Sequence, residues 1–94
     1  PIVLTGDFNF DETSDAYSSL ENSGIVQDSY EVAPIAYEPN STFNGWGKGL
    51  REKQRIDHIF VSPTFGVKKY AVLTDTYMGK FPSDHFPVVA DLHW

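Results

Sequence analysis

Three short runs hold side chains that could act together: Gly6-Asp7-Phe8-Asn9, Arg55-Ile56-Asp57-His58 and Ser83-Asp84-His85-Phe86. A carboxylate and a carboxamide two residues apart project to the same side of an extended chain. Asp7 could therefore orient or deprotonate a water while Asn9 donates hydrogen bonds to an oxyanion. The simpler reading of that pair is an Asx turn after a strand. Asp57 lies among Ile, Phe and Val, where an unpaired carboxylate is costly. Its ordinary partner would be a nearby Arg or a backbone amide. His85 titrates near neutral pH and suits proton transfer. Asp84 beside it offers oxygen to a hard cation. Singly each run is a weak signal. Together they describe metal-assisted hydrolysis: Asp57 holds the His85 imidazole in one tautomer, Asp84 binds a cation, and Asp7 and Asn9 enclose a water and a phosphoryl oxygen. A calcium loop is excluded. Asp7-Phe8-Asn9-Phe10-Asp11 matches its opening, but Glu12 stands where Gly is required and Ser18 where Glu is required.

These runs need elements to position them. Ile2-Val3-Leu4 has no polar alternation and reads as a fully buried strand ended by Thr5-Gly6. A chain that opens on such a strand is expected to be a piece of a longer domain. Residues 11–24 read as a helix capped by Thr13 or Ser14, with Ala16, Tyr17 and Leu20 on one apolar stripe and Gly24 as its stop. Residues 25–50 read as loop, punctuated by Pro34, Pro39, Gly45, Gly47 and Gly49. Gln54 to Val61 alternates and reads as a strand, as do Val67 to Thr74 and Val88 to Leu92, with a loop over 75–85. In the second of these, Lys68 and Tyr70 are expected on the face opposite Val67 and Lys69. The order is β-α-loop-β-β-loop-β, an α+β or layered α/β arrangement.

Composition narrows the classes. Ninety-four residues suffice for one small domain, and 40% hydrophobic residues with seven Phe, five Tyr and two Trp exclude a disordered chain. A net charge of −6 is unsuited to sequence-blind wrapping of a polyanion but compatible with divalent cations. The absence of Cys excludes disulfides, thiolate metal sites and Cys nucleophiles. No apolar run approaches the length of a membrane span.

The same three runs resemble the C-terminal motifs of the endonuclease/exonuclease/phosphatase superfamily, in order and spacing and across about the whole chain. That family includes DNase I-like nucleases, sphingomyelinases, deadenylases and inositol polyphosphate phosphatases. The runs Ile56-Asp57-His58-Ile59-Phe60-Val61-Ser62 and Ser83-Asp84-His85-Phe86-Pro87-Val88 are most similar to its bacterial metal-dependent hydrolases. The resemblance implies the C-terminal half of a four-layer α/β/β/α sandwich, with residues 1–94 forming that portion of one domain. It also implies a Mg2+ or Mn2+ cofactor. By role, Asp7 would position or activate the water, Asn9 would contact the scissile phosphate, Asp57 would pair with His85, and Asp84 would be a metal ligand, with Asp7 and Asn9 beside it. Family members supply a metal-binding Glu, an Asn and often a second His or Tyr from an N-terminal half that this sequence lacks. The expected partner is a phosphate ester: a small molecule, a lipid headgroup or a nucleic acid. Inositol polyphosphate phosphatases carry Trp-Cys-Asp-Arg around the strand Asp, unlike Arg55-Ile56-Asp57-His58 here.

Other features are open to two readings. Lys48, Arg51, Lys53 and Arg55 gather four of the seven basic residues into a lip that would attract an anionic substrate, Arg55 contacting it directly; the plainer reading is a solvated loop. Trp46 would stack a base or sugar at the rim, or serve as a packing anchor. The Thr42-Phe43 pair recurs in the family at this place, which favours a structural role. His58 should face away from Asp57 and pack. Asn40-Ser41-Thr42 is a glycosylation sequon, meaningful in a secreted eukaryotic protein. Two function classes follow: a metal-dependent phosphoester hydrolase of which this chain is a fragment inactive alone, and a non-catalytic binding module that pairs with a second copy through an uncovered sheet face.

Overall fold

The structure is a computed structural model and describes residues 1–37, 41–47 and 54–94. Two three-stranded sheets carry the chain. In the first, β1 (Val3–Asp7) and β2 (Gln27–Asp28) flank β4 (Asp57–Val61), both antiparallel to it. In the second, β5 (Gly66–Val72) lies between β3 (Ile35–Tyr37), parallel to it, and β6 (Val88–His93), antiparallel. Two short helices, α1 (Asp15–Glu21) and α2 (Ser29–Val32), and a 3-10 turn at Gly45–Gly47 complete the elements among the described residues.

Local chemistry sets the helix ends. Ser14 caps α1 by accepting the Tyr17 amide at 3.1 Å. Asp11 accepts both the amide and the hydroxyl of Thr13, so the chain turns there and the helix starts later than the apolar stripe suggests. Ser23 donates to the Leu20 carbonyl and ends it. Tyr17 is buried and Leu20 packs beside it, whereas Ala16 is exposed.

The expected buried strand at Ile2–Leu4 is instead an edge strand that runs on to Asp7. All five residues of β1 are exposed, Val3 at 48% and Leu4 at 37%, and among the described residues β4 is the one strand paired with it. It extends through Gly6 because the ladder continues to Gly6↔His58 and Asp7↔Asp57. The strand expected from Gln54 begins at Asp57, since residues 54–56 bond to other segments. In β5 the expected facing is overturned. A bulge between Val67 and Lys69 inserts one residue, so Val67, Tyr70 and Val72 all point inward while Lys68 and Lys69 stay exposed. β2, α2 and β3 occupy a stretch that reads as loop.

The core is divided. Tyr17, Val26 and Phe60 form one cluster with Phe8, Phe10 and Leu20 against it. Tyr70, Val72 and Phe86 form the other, flanked by Tyr30, Phe81 and Val88. Between them sits a buried polar knot. Arg55, 2% exposed, donates to Asp28 Oδ2 at 2.8 Å and lies 4.4 Å above the Tyr30 ring. Asp28 is fully buried. Its other oxygen caps α2 through the Tyr30 amide, its amide donates to Glu21, and the Tyr17 hydroxyl donates to it. Burial and the adjacent Asp28 carboxylate hold the Tyr17 phenol far above its ordinary range. Asp28→Ala would strand a buried guanidinium, so the unfolding free energy should fall by about 3–5 kcal/mol. Urea denaturation of the intact protein measures this, with Tyr17→Phe expected to cost about 1 kcal/mol.

Candidate active site

The β1–β4 ladder ends with Asp7 directly opposite Asp57. A third segment brings the imidazole to them. Phe43 pairs with His85 in an antiparallel bridge, the Phe86 amide donates to the Thr42 carbonyl at 2.7 Å, and the Asn44 and Gly45 amides donate to the Asp84 carbonyl. The Phe43 ring meets the His85 ring edge-on at 5.2 Å. His85 Nδ1 donates to Asp57 Oδ2 at 2.8 Å, which leaves Nε2 facing Asp7 Oδ2 at 3.6 Å. The order is carboxylate, imidazole, carboxylate, and the two carboxylate residues, Asp7 and Asp57, line an open cleft of about 400 Å³ with Gly6 and Pro87.

The neighbouring charges bear on His85. The Asp57 hydrogen bond raises its pKa above the ordinary value; burial opposes this, and the negative charges of Asp57, Asp7 and Asp84 add to it. Asp7 keeps its geometry through the Asn9 amide, which donates to Oδ1 at 3.0 Å and requires Asn9 to adopt a left-handed φ of 56°. The Asn9 side chain is left exposed at the rim. Asp7, Asp57 and His85 place ligating atoms within 4.8 Å of one another, a group that could hold a metal ion. Hard oxygens suit a divalent cation of the Mg2+ or Mn2+ type. Asp7 fits best, because Asp57 Oδ2 is already committed to His85. The Asp84 carboxylate stands outside this group, although its main chain is fixed beside it.

Asp7, Asn9, Asp57 and His85 are thus assembled from three separate segments. Arg55 is not among them. Expected at the substrate, it is instead buried and paired with Asp28, because the first residues of the 54–61 run turn inward between the core clusters. His58 packs as expected: it is buried, with Nε2 bonded to the Phe10 carbonyl and the ring stacked on Phe10. Trp46 is 62% exposed, with a left-handed φ of 61° and its amide donated to Asn44 Oδ1. Asn44 also donates to the Ser83 carbonyl, so Trp46 is tied to the loop that carries His85. Lys48, Arg51 and Lys53 of the basic lip, and Asn40 of the sequon, lie outside the described residues. The residues that composition and spacing undervalue are Thr42 and Asn44, both fully buried and bonded to the loops around the site. The signals for them are that small polar residues in a Gly-rich stretch flank an aromatic and, for Thr42, that the Thr42-Phe43 pair matches the family resemblance.

The family model for the endonuclease/exonuclease/phosphatase family matches residues 1–85. The chain belongs to that family. Among solved structures it is similar to a mannosyl-6-phosphatase of Bacteroides thetaiotaomicron VPI-5482, at 46% identity and TM-score 0.90 over 98% of this chain and 37% of that one. An endonuclease/exonuclease/phosphatase from Bacteroides vulgatus follows at 33% identity and TM-score 0.86, covering 97% of this chain and 35% of that one. A functionally unknown conserved protein from Enterococcus faecalis V583 shows 34% identity and TM-score 0.82, with 97% and 35% covered. No curated protein matches the sequence. The chain spans little more than a third of the length of these structures. Its mixed sheets and few helices are part of the DNase I-like α/β sandwich of the family, whose members are hydrolases that typically use a divalent metal.

The titration of His85 follows from the geometry. Its folded pKa is raised, so the proton it holds stabilises the fold fully below its unfolded value of about 6.5 and that contribution is lost as pH rises through the folded pKa. With a chelator present, proton NMR should place the His85 midpoint above about 6.5, and Asp57→Asn should move it back down.

Proposed function

We propose that the intact protein is a divalent-metal-dependent phosphoester hydrolase and that this chain is the C-terminal portion of one domain of that kind, inactive alone. The observation that carries the reading is the Asp57–His85–Asp7 series, in which one carboxylate fixes the imidazole and the other faces its free nitrogen. The Asp57 bond sets the Nδ1–H tautomer, so Nε2 is the nitrogen that meets the reacting group. Once protonated, Nε2–H donates to a phosphoryl oxygen as it gains charge. Asp7 accepts the proton of the attacking water, whose oxygen bonds to phosphorus as the ester oxygen departs. The Asn9 carboxamide donates to a second phosphoryl oxygen, and Trp46 borders the leaving group. A bound Mg2+ or Mn2+, held at Asp7 with Asn9 beside it, would neutralise phosphate charge and lower the pKa of the water.

A phosphomonoester of a small polyol or sugar is the favoured substrate. Support comes from the similarity to a mannosyl-6-phosphatase and from the acidic charge balance, which disfavours tight nucleic-acid binding. The rest of the domain is the proposed cover for the exposed apolar residues Ile2, Val3, Leu4, Ile35 and Tyr37, since this chain matches only 37% of the mannosyl-6-phosphatase. The alternative is that a second copy covers them and the site is scaffold.

Hydrolysis by the intact protein should appear with Mg2+ or Mn2+, vanish with chelator and return on adding the cation. His85→Ala should cut kcat by about 10²- to 10⁴-fold without unfolding the protein. Steady-state assays on hexose 6-phosphates and on diesters, with sedimentation for mass, make the decision. A folded, inactive dimer that binds the cation would favour the binding-module alternative.

A further inference from the structure

We infer that Thr42 is a positioning residue that sets the Asp57–His85 geometry through both its hydroxyl and its carbonyl. Thr42 is fully buried, and its hydrogen bonds run to backbone atoms. Its Oγ1 accepts from the Ile56 amide at 2.9 Å and from the Asp57 amide at 3.0 Å. Its own hydroxyl proton points towards the Gln54 carbonyl at 3.4 Å, and its amide donates to the same carbonyl at 2.9 Å. On the other side its carbonyl accepts the Phe86 amide at 2.7 Å, and the next residue, Phe43, pairs with His85. One residue therefore separates the amide of Asp57 from the strand contact that holds His85.

The residue type fits this task. Two adjacent amides converge on one acceptor, which a hydroxyl oxygen provides with two lone pairs while keeping a proton to donate. Valine would fill the same space and take away the acceptor of both half-buried amides. Serine would keep the acceptor but lose the branched methyl that restricts χ1. Reaction geometry is sensitive to such placement, since a displacement of about 1 Å can cost ~10²-fold in rate. Thr42 acts on the pair while contacting no substrate, so its effect should fall on kcat and leave KM in place.

The test uses the intact protein, with Thr42→Val and Thr42→Ser. Its kinetic arm rests on the hydrolase reading; its spectroscopic arm does not. Thr42→Val should lower kcat at least about tenfold with KM changed less than about twofold. It should also displace or abolish the downfield proton resonance of His85 Nδ1 that reports the Asp57 bond. Thr42→Ser should restore both. A Thr42→Val protein with unchanged kcat and unchanged resonance but a lower melting temperature would overturn the inference, as would a serine variant no better than valine. If the valine variant does not fold, amide exchange in the wild type decides: protected Ile56 and Asp57 amides support the clamp, and exchange at loop rates overturns it. A wild type without turnover would overturn the hydrolase reading alone, with the resonance and exchange still deciding the role of Thr42.

Discussion

Most of the described structure depends on the carboxylate of Asp28. One oxygen caps α2, the other takes the Arg55 guanidinium and the Tyr17 hydroxyl, and the amide of the same residue is bonded to Glu21. Without Arg55 this carboxylate would be a buried charge, and without the carboxylate the guanidinium would be one, so neither tolerates loss of the other. The pair spans the gap between the two apolar clusters, Tyr17 belonging to one and Tyr30 lying beside the other. Arg55 also stands two residues before Asp57. Fixing it between the clusters fixes the start of β4, and with it the height at which Asp57 meets the His85 loop. A charge that looks like a substrate contact in the sequence is thus a structural pin for the site.

The relation between sequence and structure is uneven, for physical reasons. Chemistry placed where a strand meets a loop was legible: Asp7, Asp57 and His85 are of types that need partners, and they find one another. Strands β4, β5 and β6 were legible because β-branched and aromatic residues alternate there. The two- to four-residue elements β2, α2 and β3 were not, because elements that short exist only through tertiary partners, here β4 and β5 for the strands and the Asp28 cap for α2. The bulge in β5 was hidden for a similar reason, as one inserted residue leaves no compositional trace. Arg55 was misread because a cation near a cleft has the same sequence appearance whether it faces outward or inward. Its burial follows from Asp28, 27 positions away in a stretch that reads as loop.

The strap of residues 42–44 shows how an irregular segment can be as ordered as a strand. Thr42 and Asn44 place their side chains on opposite partners, the amides at 56–57 and the carbonyl of Ser83, while Phe43 between them bridges to His85. The Thr42 hydroxyl and the Asn44 amide nitrogen are both turned to backbone atoms of other segments, which suits a buried loop that must satisfy its own donors and acceptors. The strap ends in Trp46, held in a left-handed conformation between two glycines and largely exposed. A left-handed non-glycine residue costs about 1–2 kcal/mol. Here the Asn44 side chain stabilises it by accepting the Trp46 amide.

Electrostatics links the site to its environment. Asp7, Asp57 and Asp84 all act on His85, and all raise its affinity for a proton. The same carboxylate field would attract a divalent cation, so a proton on His85 and a cation at Asp7 draw on one source of negative potential and oppose each other. Cation binding must therefore lower the His85 pKa, and by linkage lowering the pH must weaken cation binding. On the side away from Asp57 the imidazole faces Asp7 and is 27% exposed, so this competition is felt at Nε2. A chain with a net charge of −6 can keep these carboxylates close together because Asp57 has the imidazole as its partner and Asp7 stands exposed at the end of β1, where water and a cation can share the field.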